Sequence, residues 1–248
     1  MQNVDPQDGG TGFISDGAEG SPSRDGSRYA WAVLDRFEAI VGMVSVDVST
    51  DTILGTLSAA SFAHLGDLDH VSMAPSGNAI VASFDLGTIA YDVDLTNPRQ
   101  LHHATEHSDI AINARGRDTL VIINFDSGDL MMVDVQTAQR TDLFNIFEEN
   151  TDTSLHISGK AFEKPGWVVV SSYNCRAQPG WACNKVIAVE LAANPRILNL
   201  AHTYNCGMSF WTEPQAVPSR DLRRVYYNSD WESCAIDAEV MMVDVPEF

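Results

Sequence analysis

The chain has 248 residues, and its 34 aspartates and glutamates outnumber 15 lysines and arginines, a formal net charge of −19. Nucleic-acid affinity comes chiefly from cations that neutralise phosphates, so a nucleic-acid partner is not expected. No apolar run approaches the roughly 20 residues of a membrane span and no basic stripe suggests a membrane surface, while 44% apolar residues are ample for a core.

In chain order, the strand-like runs fall into five units that begin near residues 13, 68, 107, 154 and 211. The first holds the turn-rich SPSRDGS, the strands RYAWAVLD and MVSVDV, which closes on Asp47, and a further strand, TILGTLSA. The second has APSGN, AIVASFD and IAYDVD closing on Asp92; the third has NARGRD, LVIINFD and MMVDVQ closing on Asp134. After it, the stretch around Asp142 to Glu149 is the best candidate for a short helix. The fourth unit has WVVVSSYN, IAVEL closing on Glu190, and RILNLAHT. The fifth has VPSRDLR, RVYYNSD and MMVDV closing on Asp244, with no obvious fourth strand. Pro, Ser, Gly and Asp between the first two strands of each unit supply turn geometry.

An inner strand, a turn, a second strand, a loop, a third strand ending in an acid and a further strand, repeated every 40 to 55 residues or so, is the blade of a β-propeller. The sequence therefore predicts an all-β propeller of five four-stranded blades, with residues 13–248 as one domain. Residues 1–12 form an N-terminal extension or a closing strand that would cover an open edge. A β-sandwich is the alternative for many short strands, and a fragment of a larger propeller is the alternative to a closed ring of five.

The N-terminal MQNVDPQDGG has neither a basic nor an apolar signal region. The four cysteines show no close CxxC or HxxxH spacing of a zinc site, which favours disulfides and a location outside the cytosol.

The segments HISGKAFEKPGWVVVSSY, WTEPQAVPSRDLRRVYYNSDW and APSGNAIVAS resemble bacterial secreted propellers of the TolB-like and oligogalacturonate-lyase-like kind. The resemblance implies an extracellular or periplasmic protein and a fold shared by polysaccharide lyases, glycan-binding modules and interaction scaffolds. The lyases use a histidine-rich metal site near the channel. Of such ligands the resemblance carries over only Gln215, because Val217 and Ser219 stand where ligands would be expected.

Propeller topology opens the starts of the inner strands and the loops between second and third strands on one face. The inner-strand starts are His70, Asp109, His156 and Glu213; the loops begin at Asp35, Asp85, Asp126, Asn174 and Asp230. This polar, acidic ring would be a ligand-binding channel mouth. Cys175, Cys183, Cys206 and Cys234 fall on the same face, where pairs 175–183 and 206–234 would close local loops that carry Trp181, Trp211 and Trp231. Flat indoles there could stack on sugars or anchor a protein.

A lyase needs a base, for which His156, Tyr173 and His202 are candidates, and a neutraliser for a uronate carboxylate, for which Arg176 is the candidate. A hydrolase needs two opposed carboxylates, from Asp126, Glu213 and Asp230. The ligand-binding set is His70, Asp85, Asp126, Asn174, Trp211, Glu213, Gln215, Asp230 and Trp231. No phosphate loop, GxSxG or HExxH occurs. The acidic ring could hold a divalent cation as cofactor, although no DxDxDG loop occurs. The bland roles are capping for the acids and a hydrogen-bonded structural role for the histidines. The expected function is carbohydrate recognition or lyase-like processing by a monomer with a glycan or other small ligand, the alternative being a non-catalytic interaction propeller.

Overall fold

The computed structural model describes residues 13–15, 20–147, 154–173, 180–206, 209–234 and 237–248. They form five antiparallel sheets in sequence order. The first contains β1 (Phe13–Ser15), β2 (Arg28–Leu34), β3 (Ile40–Asp47) and β4 (Thr52–Ser58); the second contains β5 (Leu68–Met73), β6 (Ala79–Phe84), β7 (Gly87–Asp92) and β8 (Arg99–His102). The third contains β9 (Ser108–Ile112), β10 (Asp118–Asn124), β11 (Asp129–Asp134) and β12 (Arg140–Asn145). The fourth contains β13 (Ser154–Ser158), β14 (Trp167–Tyr173), β15 (Lys185–Glu190) and β16 (Ile197–His202). The fifth has three strands among the described residues: β17 (Val217–Pro218), β18 (Arg224–Ser229) and β19 (Glu239–Asp244). Each sheet pairs neighbours in sequence, the meander of a propeller blade.

One turn recurs between the first two strands. Ser23, Ala74, Asn113 and Ser219 donate their amides across it to Arg28, Ala79, Arg117 and Arg224, while their carbonyls accept from Gly26, Gly77, Gly116 and Leu222. That last position has φ between 56 and 77° in all four turns. Glycine adopts such a backbone without a Cβ clash, and three sheets use it. The fifth uses Leu222, whose side chain is buried among Ala216, Val225 and Tyr227.

The acids that close each third strand are architectural. Asp47 accepts from the Ser49 and Thr50 amides and from Arg28; Asp134 accepts from the Gln136 and Thr137 amides. Asp92 and Glu190 pair with Arg99 and Arg196, and Asp244 with Arg224. The Ser49 hydroxyl, ahead of Arg28, holds the Asp47 carboxyl below the usual carboxylate range. Asn97 side-chain donation does the same for Asp92, and Arg196 for Glu190.

Burial follows strand position. β6, β10 and β14 are buried at every residue, in keeping with the apolar runs Ala79–Ala82, Leu120–Ile123 and Trp167–Val170 within them. Each fully buried Val, Ile or Leu there contributes about 1.5–3 kcal/mol. β18 alternates instead, and the register row Val217, Tyr226 and Met242 lies exposed on one side of the fifth sheet.

The chain divides into two compact units. One comprises the first and second sheets together with Asp134–Ala138, around Ala30, Met43, Met73, Ile80 and Phe84. The other comprises the rest of the third sheet with the fourth and fifth. In it Leu130, Leu155 and Val170 join the third and fourth sheets, and Val169, Ala188 and Val225 join the fourth and fifth.

The helix expected around Asp142 is corrected: Arg140–Asn145 is β12, paired to β11. Leu143 is its one buried residue, flanked by more exposed neighbours, so the segment carries no apolar helical stripe. The fifth inner strand is also shorter than expected, because Phe210–Thr212 makes one turn of 3-10 helix before β17.

Candidate functional site

The second unit gathers His107, His156, Tyr173 and Glu213. His156 is the third residue of β13, opposite Ser171 of β14. Its Nε2 lies 2.7 Å from Glu213 Oε2, both side chains being mostly buried. Its ring stacks on Tyr173, centroids 5.2 Å apart and planes 12° apart, and leans on His107 at 5.0 Å. His107 meets Phe125 edge-on. If Glu213 accepts from Nε2–H, the neutral imidazole carries its lone pair on Nδ1, the tautomer of a general base oriented by a carboxylate.

Inter-sheet bonds explain why these groups meet. Asp109 in β9 accepts from Gly159 N (2.8 Å) and from Lys160 Nζ (2.7 Å), which ties the third sheet to the fourth. A Cβ at Gly159 would come 2.5 Å from the Ile110 carbonyl oxygen, so only glycine permits this approach. From the fifth sheet, Ala216 N donates to the buried Ser171 Oγ at 3.1 Å. Asn228 holds the other side of the Glu213 turn, with its amide on the Pro214 carbonyl and its side chain on the Glu213 carbonyl.

In the same unit, the end of β18 presents an aromatic strip. Tyr204 and Trp231 are stacked at 5.5 Å with planes 25° apart, and are 46% and 55% exposed. His202, the last residue of β16, leans on Tyr204 at 4.8 Å, and Trp231 Nε1 donates to Glu239 at 3.4 Å. Cys206 and Cys234 are bridged. Asp230 is 2% exposed: its Oδ1 accepts from the Cys206 and Glu232 amides, while its buried Oδ2 has no hydrogen-bond partner among the described residues.

The other expected residues fall as follows. His70 is 8% exposed in β5, with Nδ1 at 3.1 Å from Asp69 and Nε2 at 3.4 Å from Ser83. Asp35 caps the Phe37 and Ala39 amides, and Asp85 caps Asp67. Asp126 is exposed, with its amide on Asn124 Oδ1. Gln215 donates to the Phe210 carbonyl and so closes its own turn. Trp211, 77% exposed, packs edge-on to Phe210, and Trp181 packs on Phe144. Cys183 is disulfide-bonded. Asn174, Cys175 and Arg176 lie outside the described residues, as do residues 1–12. Among the described residues, no three His, Cys, Asp or Glu side chains gather in metal-holding geometry, and no helix is long and apolar enough to cross a membrane.

Sequence reasoning did not single out Tyr204 or His107. His107 stands one residue before β9, so the inner-strand rule could have found it. Tyr204 carries no such signal, because its position depends on the crossing from β16 to the fifth sheet.

No protein-family model and no curated relative matches the sequence. The fold is similar to three solved structures. An oligogalacturonate lyase from Vibrio parahaemolyticus superposes with a TM-score of 0.63 at 12% identity, over 94% of this chain and 67% of that one. The β-propeller domain of the Trilobed protease from Pyrococcus furiosus gives 0.54 at 10% identity, over 95% and 70%. A putative TolB from Agrobacterium tumefaciens gives 0.50 at 13% identity, over 90% and 75%. The chain has the β-propeller fold. These likenesses reach the fold alone.

Proposed function

We propose that this protein is an extracytoplasmic propeller that recognises carbohydrate on the loops of its fourth and fifth sheets. The observation that carries this reading is the half-exposed Tyr204–Trp231 stack beside the Cys206–Cys234 bridge. Aromatic faces held at a fixed spacing suit the flat C–H surfaces of sugar rings, with little ordering cost on binding. The disulfides support a location outside the cytosol.

The His156–Glu213 pair could serve processing as a base that takes the proton beside a uronate carboxyl, as the neighbouring lyase suggests. The acid-rich surface weighs against a polyuronate, so recognition ranks ahead of cleavage. A second reading, a non-catalytic interaction propeller, draws on the exposed Val217, Tyr226 and Met242 row.

Glycan-array binding by the wild type and by Trp231→Ala with Trp211→Ala tests the proposal. The expected result is binding that the double variant loses while its melting temperature barely moves. A wild type that binds no glycan, and releases no unsaturated product from any polysaccharide, removes the carbohydrate reading in favour of the interaction one.

A further inference from the structure

We infer that the carbohydrate taken by the Tyr204–Trp231 strip bears free amino groups, an inference that rests on the carbohydrate reading above. Around the strip, residues 225–243 carry Asp230, Glu232, Asp237 and Glu239 and no lysine or arginine, whereas Arg220, Arg223 and Arg224 precede the far end of β18, where Arg224 pairs with Asp244. The strip runs from His202 through Tyr204 to Trp231, whose indole nitrogen donates to the Glu239 carboxylate. Lys185 stands opposite His202, at the other end of the strip, so the Trp231 end is the acidic one.

A second, independent observation lies beneath that end. The turn presenting Trp231 and Glu232 is seated on Asp230, a side chain 2% exposed whose Oδ1 accepts the Cys206 and Glu232 amides and whose Oδ2 has no donor among the described residues. Aromatic faces attract an ammonium through their quadrupole, and nearby carboxylates add to the same potential. A protonated hexosamine offers both a C–H face for the rings and a cation for the acids. A neutral sugar would gain no charge attraction from the acids, and a uronate would be repelled.

The test uses the full, oxidised chain and calorimetric titration with two oligomers of equal length, β-1,4-linked glucosamine and its N-acetylated counterpart. At low salt the free-amine oligomer should bind about tenfold more tightly, the scale of one or two exposed charge pairs. That ratio should shrink as salt is added or as the pH rises through the titration of the amine. Glu232→Gln with Glu239→Gln should reduce the ratio towards one while leaving the melting temperature in place. Equal affinities for the two oligomers overturn the inference and leave the carbohydrate reading standing. Binding of neither oligomer alongside tight binding of a lysine-rich peptide overturns both, and assigns the strip to a basic protein segment.

Discussion

His70 in the second sheet and His156 in the fourth sit on inner strands opposite a serine of the next strand, Ser83 and Ser171. His70 finds its partners within its own sheet: Asp69 beside it and the Ser83 hydroxyl, which reaches on to Thr88 at 3.5 Å. His156 finds its carboxylate partner, Glu213, outside its sheet, and Ser171 is occupied by Ala216 from the same incoming segment. One position in the repeat thus serves closure of a sheet in one unit and joining of sheets in the other. What differs is the neighbour that arrives, not the residue or its register.

The largest way to probe this contrast is to cut the covalent tie beside the joined region. The Cys206–Cys234 bridge spans 28 residues, and its loss in Cys206→Ala with Cys234→Ala should cost about 3–4 kcal/mol on the loop-entropy estimate. Urea unfolding measures the total; hydrogen exchange should show the added opening around Tyr204 and Trp231, with β5 and β6 protected as before. Equal loosening of β5 and β6 would abolish the distinction. A smaller test compares the serines. Ser171→Ala leaves the buried Ala216 amide without an acceptor and should cost about 1–3 kcal/mol. Ser83→Ala removes contacts at 3.4 and 3.5 Å, the limit of a hydrogen bond, and should cost less than about 1 kcal/mol.

The smallest effect concerns a turn that both units share. The Ser23 hydroxyl, then the Ser27 amide and hydroxyl, lower the Asp25 carboxyl from 3.8 to about 2. A depressed folded-state value stabilises above the unfolded one, and this contribution is lost as pH falls from about 3.8 towards 2. Asp25→Asn should therefore melt slightly below the wild type at pH 5, with the gap closing by pH 2. Asp221, lowered by the Ser219 hydroxyl in the equivalent turn, should behave alike. A gap that persists at pH 2 would assign the effect to packing rather than charge.

The blades were legible because their signals are local. An acid closing a third strand caps the amides that follow it, and a left-handed residue is needed where the first two strands turn, so Asp47, Asp134, Gly77 and Gly116 mark their sheets. The inner-strand rule also named His156 and Glu213, which the fold brings within 2.7 Å. It could not tell His156 from His70, since the difference lies in what reaches each from elsewhere in the chain. The strand at Arg140–Asn145 was obscured by charged neighbours, which leave an outer strand with little apolar alternation.

The recurring turn also bears on how the chain finds its fold. Four segments carry nearly the same local instruction, and every hairpin they start joins neighbours in sequence, so each sheet can assemble without waiting for a distant one. The hazard of such a plan is confusion of identity, a strand from one copy adopting the place of another. Leu222 offers an address. It fills the glycine position with a side chain buried among Ala216, Val225 and Tyr227, an anchor that the glycines of the other three turns lack.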